Sequence, residues 1–220
     1  MAKGDRVVWI ALAVVVVLIG GWFGIRYRGQ HWPAPMTMRI EQFFLDNPVR
    51  RRFFSPERLW QVTGSLEGLT VGEIGVGVGV VMEQLARRVG SDGRVYGIDI
   101  QAEAVWRTRE RLKKLKLIDQ VSLQEASATR LPWPDQGLDW VFLVTVFGEI
   151  PVPERALALA EVGRVLKPHG RLGILEYWPD PHFQPEAKLS QTLLQNGFVV
   201  EQVIGTRIIY ALTARREERR

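Results

Sequence analysis

The sequence predicts an α/β fold in which a mainly parallel sheet is covered by helices on both faces. Two observations lead to this class. Between residues 70 and 213, short apolar runs alternate with longer segments whose apolar residues recur at helical spacing. The run 138–144, LDWVFLV, is nearly all apolar, as expected of a strand that is buried on both faces of a parallel sheet.

The alternation of apolar runs and helical spacing predicts seven strands and four helices in this region. The strands are expected at residues 70–74, 95–100, 121–124, 138–144, 171–176, 198–204 and 206–213. The helices between them are expected at residues 80–89, 102–117, 154–166 and 184–196. Pro168 and Gly170 are expected to end the third helix, and Gly197 the fourth.

An uncharged stretch, VVWIALAVVVVLIGGWFGI, occupies residues 7–25. As a helix it would be about 28 Å long, close to the hydrocarbon thickness of a bilayer. Charged residues bracket it, and aromatic residues lie near both ends, as at membrane interfaces. A cleaved signal peptide would have a shorter apolar core and a small-residue cleavage site, and few buried core helices are apolar on every face. We therefore predict a single transmembrane anchor, and the excess of arginines after it places the rest of the chain in the cytoplasm.

The chain divides into five parts by composition. These are a short tail (1–6), the transmembrane helix (7–25), a connecting or lid region (26–62), a folded domain (63–213) and a charged tail (214–220). The connecting region is rich in Pro, Arg and aromatic residues. Its prolines prevent one long helix, and short helices are expected at residues 37–45 and 56–63.

Composition excludes several classes of function. The chain of 220 residues has no Cys, which removes disulfides, thiol catalysis and Cys-ligated zinc. Its histidines, at positions 31, 169 and 182, do not have metal-ligand spacing, so no metal site is expected. The net charge of +5 comes from short basic clusters rather than from a basic stripe with interleaved aromatics, so no nucleic-acid partner is expected.

A glycine pattern lies between the first predicted strand and the first predicted helix of the domain. Gly75, Gly77 and Gly79 alternate with valines, and glycine there lets the chain turn sharply and lets a ligand lie against the backbone. A dinucleotide site would need a glycine at position 80, where this chain has Val80, and there is no G-K-[ST] phosphate loop. Asp99, at the end of the second strand, can accept hydrogen bonds from both ribose hydroxyls of a nucleoside.

In order and spacing, four segments resemble the S-adenosylmethionine-dependent methyltransferases with a Rossmann-like fold, most closely the branch of the ubiquinone/menaquinone-biosynthesis methyltransferases. The segments are VGEIGVGVG, GRVYGIDI, LPWPDQGLDWVFLV and RVLKPHGRLGILE. The resemblance covers about residues 63–213. It implies a doubly wound, mainly parallel seven-stranded sheet that ends in an antiparallel hairpin, and S-adenosyl-L-methionine as the cofactor.

The resemblance also implies roles for residues on the cofactor side. Glu73, Gly75, Gly77 and Gly79 would line the methionine and ribose part, Asp99 would hold the ribose hydroxyls, and Ile100 would pack beside the adenine. Ser127 and Ala128 occupy the position of the Asp-Ala pair that usually contacts the adenine amino group. A serine hydroxyl can still accept a hydrogen bond there, but it carries no charge.

Candidates on the acceptor side come from the loops after the fourth and fifth strands and from the connecting region. His182 is the predicted general base because its reference pKa is about 6.5. Glu176 and Asp180 are the further catalytic candidates. The predicted substrate-binding residues are Phe43, Phe44, Arg50, Glu149, Tyr177 and Trp178.

The sequence thus favours a membrane-anchored methyltransferase whose acceptor is a lipophilic small molecule, such as a quinone precursor or a lipid. Its partners would be the bilayer and this acceptor. Phospholipid N-methylation is the alternative within enzymes. A non-catalytic membrane protein that binds S-adenosylmethionine is the alternative from another class.

Overall fold

The computed structural model describes residues 3–31 and 56–217. Its helices are α1 (Lys3–His31), α2 (Glu57–Thr63), α3 (Val80–Val89), α4 (Ala102–Lys114), α5 (Arg155–Val165) and α6 (Glu186–Gln195). Its strands are β1 (Thr70–Ile74), β2 (Arg94–Asp99), β3 (Val121–Glu125), β4 (Leu138–Val144), β5 (Leu166–Tyr177), β6 (Phe198–Thr206) and β7 (Ile209–Arg216). Short 3₁₀ turns cover residues 118–120, 147–149 and 152–154.

The strands form one seven-stranded sheet in the order β3-β2-β1-β4-β5-β7-β6. The pairs among β1 to β5 are parallel, whereas β7 runs antiparallel to both β5 and β6. The predicted fold class and the hairpin at the carboxyl end are confirmed. The strand order reverses between β1 and β4, which is where ligands bind in sheets of this kind, beyond the carboxyl ends of the strands.

Helices cover the sheet on both faces, and β4 shows why. Trp140, Phe142 and Val144 pack in a core with α2, α3 and α4. Val141 and Leu143 point the other way, into a core with α5 and α6. Successive side chains of a strand point to opposite faces, so an almost wholly apolar strand fills two cores at once.

The observed boundaries differ from the predicted ones at several elements. The last strand, β7, runs over Ile209–Arg216 instead of 206–213, because β6 continues to Thr206. The structure begins β5 at Leu166 instead of residue 171, because Leu166 already pairs with Leu138 before a register shift. It ends α4 at Lys114 instead of residue 117: Lys116 adopts φ +56°, and the Leu117 amide donates back to Leu112. That is a left-handed helix termination, and the apolar spacing that continues through Leu115 and Leu117 conceals it.

Helix α1 is longer than the uncharged stretch and includes charged residues at both ends. Its segment Val8–Gly29 is long and apolar enough to cross a membrane, by length and composition. The side chains from Leu12 to Val17 are exposed, whereas Trp22 and Arg26 are half-buried and Gly29 is buried. The helix therefore has a free apolar part and a last part that touches the domain.

Most of the connecting region lies outside the described residues. This holds for the predicted helix at 37–45 and for three predicted substrate residues, Phe43, Phe44 and Arg50. The predicted helix at 56–63 is confirmed as α2, whose Leu59 and Trp60 are buried against the sheet.

Candidate active site

A cavity of about 250 Å³ lies at the carboxyl ends of β1, β2 and β4. The side that belongs to β1 and β2 is lined by Glu73, Ile74, Gly75, Val76, Gly77, Val78, Val80, Val81, Ile98, Asp99, Ile100 and Gln101. The remaining lining is Pro56, Ala126, Ser127, Ala128, Thr129, Val144, Thr145, Val146, Glu149, Ile150, Pro151 and Glu154. The cavity thus brings together all predicted cofactor residues except Gly79, from three separate segments of the sequence.

The glycine turn between β1 and α3 needs its glycines for conformation and for space. Gly75, Gly77 and Gly79 have φ values of +80°, +49° and +78°, a region that side chains rarely adopt. A Cβ on Gly75 would stand 2.4 Å from a methyl carbon of Val146 in the loop after β4. Gly75 therefore lets the β1 and β4 loops meet at the cavity.

Gly79 does not line the cavity. It is the N-cap residue that precedes α3, and a Cβ there would stand 2.9 Å from the hydroxyl of Thr108 on α4. The same Thr108 hydroxyl donates to the Gly77 carbonyl at 2.9 Å. The third glycine thus allows α4 to pack against the turn, and its contact with a cofactor stays a prediction.

Asp99 ends β2 with its carboxylate held in place by the backbone. One oxygen accepts the Gly77 N–H at 3.0 Å and the other the Gln101 N–H at 2.9 Å. Burial raises the pKa of Asp99, and these N–H donors partly oppose the rise. Each carboxylate oxygen has a second lone pair, so the fixed carboxylate can still accept hydrogen bonds from a ligand.

Glu73, on β1, is buried, and its Oε2 has no hydrogen-bond partner within the described part of the chain. Burial, with a smaller contribution from the charge of Asp99, raises the pKa of Glu73 well above its usual value. An unpaired buried carboxyl group is costly. A cationic group in the cavity would relieve that cost.

Ser127 and Ala128 line the cavity beside Thr129. The Ser127 hydroxyl lies 2.8 Å from the Thr129 hydroxyl and accepts the Thr129 N–H at 3.2 Å. The hydroxyl predicted to meet the adenine is thus already part of a local turn.

The loop after β4 enters the cavity from the opposite side. Thr145 adopts φ +56°, which is a strained conformation for a β-branched residue. Its N–H donates to the Leu175 carbonyl at 2.9 Å, which holds the strained turn in place. The turn presents Val146 and Glu149 to the cavity.

Behind this loop lies a buried polar cluster, which contains the predicted catalytic residues. His182, Glu176 and Asp180 are buried, and none of the three lines the cavity. Neither do Tyr177 and Trp178. Among the predicted acceptor-side residues that the structure describes, Glu149 is the one that reaches the cavity, and its Oε1 lies 3.8 Å from His182 Nδ1.

The guanidinium of Arg155 holds the cluster together. It donates to the carbonyls of Ile150 and Gly148, each at 3.0 Å, and to the side-chain oxygen of Gln184 at 3.3 Å. Its Cζ lies 5.2 Å from the centre of the Phe147 ring. Arg155 thereby joins the start of α5 to the loops after β4 and β5.

Glu176, at the end of β5, accepts the Gln184 N–H at 3.0 Å, while its other oxygen has no partner among the described residues. Burial raises the pKa of Glu176 to about 8. A carboxyl group with that pKa is mostly protonated at pH 7, and the catalytic role of Glu176 stays a prediction.

Sequence reasoning missed part of this site. The sequence could have predicted that Arg155 is buried. Ala158, Leu159 and Val162 follow it at helical spacing, which places Arg155 on the same buried face of the helix. The strained turn at Thr145 had no comparable signal, since its conformation is imposed by contacts with β5.

Comparison with known proteins identifies the domain that contains this cavity. Residues 71–170 match the model described as "Methyltransferase domain". The structure superposes on a SAM-dependent methyltransferase from Aquifex aeolicus with a TM-score of 0.74 and 28% identity, over 82% of this chain and 98% of that one. The chain carries a class I S-adenosylmethionine-dependent methyltransferase domain.

Curated relatives of this methyltransferase domain include the ubiquinone/menaquinone biosynthesis C-methyltransferases of Erwinia tasmaniensis and Escherichia fergusonii. Each is 34% identical over 140 residues, which is 61% of this chain and 55% of the relative. The chain thus spans about half the length of the curated relatives it matches. Magnesium protoporphyrin IX methyltransferase from Synechocystis, solved with bound SAM, shares the fold at 21% identity, with a TM-score of 0.61 over 87% of this chain and 90% of that one.

Proposed function

We propose that this chain is a membrane-anchored S-adenosylmethionine-dependent methyltransferase that acts on a lipophilic small molecule in or at the bilayer. The observation that carries the proposal is the cavity, where the glycine turn, Asp99 and the buried Glu73 carboxyl group meet beside the loop after β4. Among the described residues, Oε2 of Glu73 has no hydrogen-bond partner. The apolar length of α1 supports the anchor.

The residues of the cavity fit the proposed cofactor. The Glu73 carboxyl group is suited to a cationic portion of the ligand, and Asp99 to the ribose hydroxyls. Positive φ values at Gly75 and Gly77 leave the backbone open to close approach. S-adenosylmethionine would supply a methyl group bonded to a positively charged sulfur. The acceptor would bond to that methyl carbon as the carbon–sulfur bond breaks, and S-adenosylhomocysteine would leave. The chain itself has to align the acceptor and exclude water, and such positioning can contribute about 7–11 kcal/mol.

Glu149 lines the acceptor side of the cavity beside the apolar Val146, Ile150 and Pro151. Thr145 and Glu154 are the other polar residues that the loop after β4 contributes to the lining. We propose that Glu149 accepts a hydrogen bond from the acceptor, with His182 behind it. The predicted base, His182, would then act on the acceptor through Glu149 rather than directly. Glu176 and Asp180 would support this arrangement from within the cluster.

The acceptor class can be tested directly. Purified full-length protein in detergent would be incubated with methyl-labelled S-adenosylmethionine and a lipid extract of native membranes, and the labelled product identified by mass spectrometry. We expect label in a quinone precursor or another lipophilic compound. Label in a phospholipid headgroup would favour phospholipid N-methylation. Cofactor binding without any labelled product would favour the non-catalytic alternative.

Replacement of Asp99 by alanine is expected to weaken S-adenosylmethionine binding by about 1.5–3 kcal/mol, the range for hydrogen bonds to a charged group. Isothermal titration calorimetry would measure it. Asp92→Ala is a matched control, because Asp92 is exposed in the turn before β2. Tight binding of NADH with no binding of S-adenosylmethionine would overturn the cofactor assignment.

A further inference from the structure

The last turns of α1 dock on the loop that follows β5, here called the β5–α6 loop (residues 178–185). The Arg26 guanidinium donates to the carbonyl oxygens of Trp178, at 2.8 Å, and Asp180, at 3.0 Å. The indole N–H of Trp22 donates to the Pro179 carbonyl at 3.4 Å. Three successive parts of this loop are therefore held by side chains one turn apart on α1.

Aromatic rings fix the orientation of the same contact. The Cζ atom of Arg26 lies 5.5, 5.3 and 5.6 Å from the ring centres of Trp22, Trp178 and Phe183. The rings of Trp22 and Trp178 are themselves 4.6 Å apart. Cations are attracted to aromatic faces at such distances, and the hydrogen bonds to carbonyls are directional. These contacts favour one docking geometry over sliding along the loop.

Gly29 brings α1 against His182. A Cβ built on Gly29 would stand 3.0 Å from both Cδ2 and Nε2 of the His182 ring, and 3.2 Å from Cβ of Pro181. A Cβ on Gly24, one turn or so earlier, would meet nothing within 4 Å. The absence of a side chain at position 29 therefore allows the helix backbone to cover one edge of the imidazole.

The opposite edge of the His182 ring faces the active site. Its Nδ1 is buried with no hydrogen bond to any described residue, and lies 3.8 Å from Glu149 Oε1 and 3.6 Å from Asp180 Oδ1. The His182 backbone is fixed as well, because its N–H donates to Asp180 at 2.7 Å and its carbonyl accepts from Gln184 at 2.7 Å. A continuous chain of contacts thus runs from Gly29 through His182 to Glu149, which lines the cavity.

We propose that the segment Trp22–Gly29 of α1 is a positioning element for the acceptor side of the active site. It seats His182 against Glu149, and thereby sets where the Glu149 carboxylate stands in the cavity. Arg26 and Gly29 are positioning residues, because they act through His182 and do not line the cavity. The inference rests on the proposed function, and it goes further by making the last turns of α1, which follow its free apolar part, a part of the site.

The test compares Gly29→Val with Gly24→Val in the full-length protein in detergent. Both substitutions put the same β-branched side chain into the same helix, so their intrinsic cost to α1 is matched. Three quantities would be measured: the ¹⁵N imidazole resonances, the affinity for S-adenosylhomocysteine, and label transfer into a native-membrane lipid extract. The chain has three histidines, so His182→Asn identifies the His182 signals.

Gly29→Val is expected to shift the His182 resonances and to lower label transfer by about 10- to 100-fold, the scale of a misplaced site group. Its S-adenosylhomocysteine affinity should stay that of the unmodified protein, and Gly24→Val should change none of the three. Identical His182 resonances in the two variants would overturn the proposal. So would a loss of S-adenosylhomocysteine affinity in Gly29→Val, because the substitution would then disturb the whole domain.

A second pair tests the docking itself. Arg26→Ala should shift the His182 resonances, and Arg26→Lys, which keeps a donor and a charge, should shift them less. Arg28→Ala is the control, because Arg28 is exposed on the same helix. Equal responses to Arg26→Ala and Arg28→Ala would also contradict the proposal. Failure of the unmodified protein to bind S-adenosylhomocysteine would overturn the proposed function instead, while the His182 resonances would still decide on the positioning role.

Discussion

Arg155→Ala is expected to lower the free energy of unfolding by about 3–5 kcal/mol, because it leaves three oxygen atoms without their donor and each unsatisfied buried group costs about 1–3 kcal/mol. The guanidinium satisfies the buried carbonyls of Ile150 and Gly148 and the amide oxygen of Gln184. Alanine leaves these oxygens without their donor. It also removes the positive charge that opposes the raised pKa of Glu176.

Urea denaturation of the protein in detergent would measure the change. Arg171→Ala is the matched control, since Arg171 is about half exposed and pairs with Glu201 at 2.6 Å. Surface pairs of that kind contribute about 0–1 kcal/mol. A similar small loss in both variants would contradict the role given to Arg155.

Gly75→Ala is expected to weaken S-adenosylmethionine binding by about 10- to 100-fold and to lower the free energy of unfolding by about 2–4 kcal/mol. Two effects add. Alanine is strained at φ +80°, and its Cβ would stand 2.4 Å from a methyl carbon of Val146. The loops after β1 and β4 must then separate, and both line the cavity.

Gly68→Ala separates these two effects. Gly68 has φ +71°, and a Cβ there would meet nothing within 4 Å. That variant should lose about 1–2 kcal/mol of stability from backbone strain alone, with cofactor affinity retained. Adding Val146→Ala to Gly75→Ala should recover part of the affinity. Full cofactor affinity in Gly75→Ala, measured by calorimetry, would show that the two loops need not meet.

Much of the fold follows from local patterns. The strand 138–144 could be predicted because burial on both faces leaves an almost continuous apolar run, and α3 because its buried residues repeat at helical spacing. The predicted start of β5, at residue 171, was wrong because Pro168 and Gly170 were interpreted as a break between the helix and the strand. In the structure Gly170 packs closely on the backbone of Leu138, next to the register shift that keeps the strand continuous.

The two sides of the site differ in how far sequence could reach. The glycine turn and Asp99 belong to short motifs whose geometry is local, so their place at the cavity could be predicted. The acceptor side depends on contacts between distant segments. Glu149 lines the cavity, whereas His182, in the neighbouring β5–α6 loop, does not. No residue spacing in the sequence predicts which of the two side chains reaches the cavity. The docking of Arg26 likewise joins residues more than 150 positions apart.

Burial of Glu73 and Glu176 has a thermodynamic consequence for the protein as a whole. Both carboxyl groups have a raised pKa in the folded chain, and that of Glu176 rises from 4.5 to about 8. Between those two pH values the folded state binds more protons than the unfolded state, so folding draws protons from solution. The stabilisation linked to Glu176 is fully present below about pH 4.5 and is lost as the pH rises through about 8. Near neutrality the measured heat of folding will therefore include the ionisation enthalpy of whichever buffer supplies those protons.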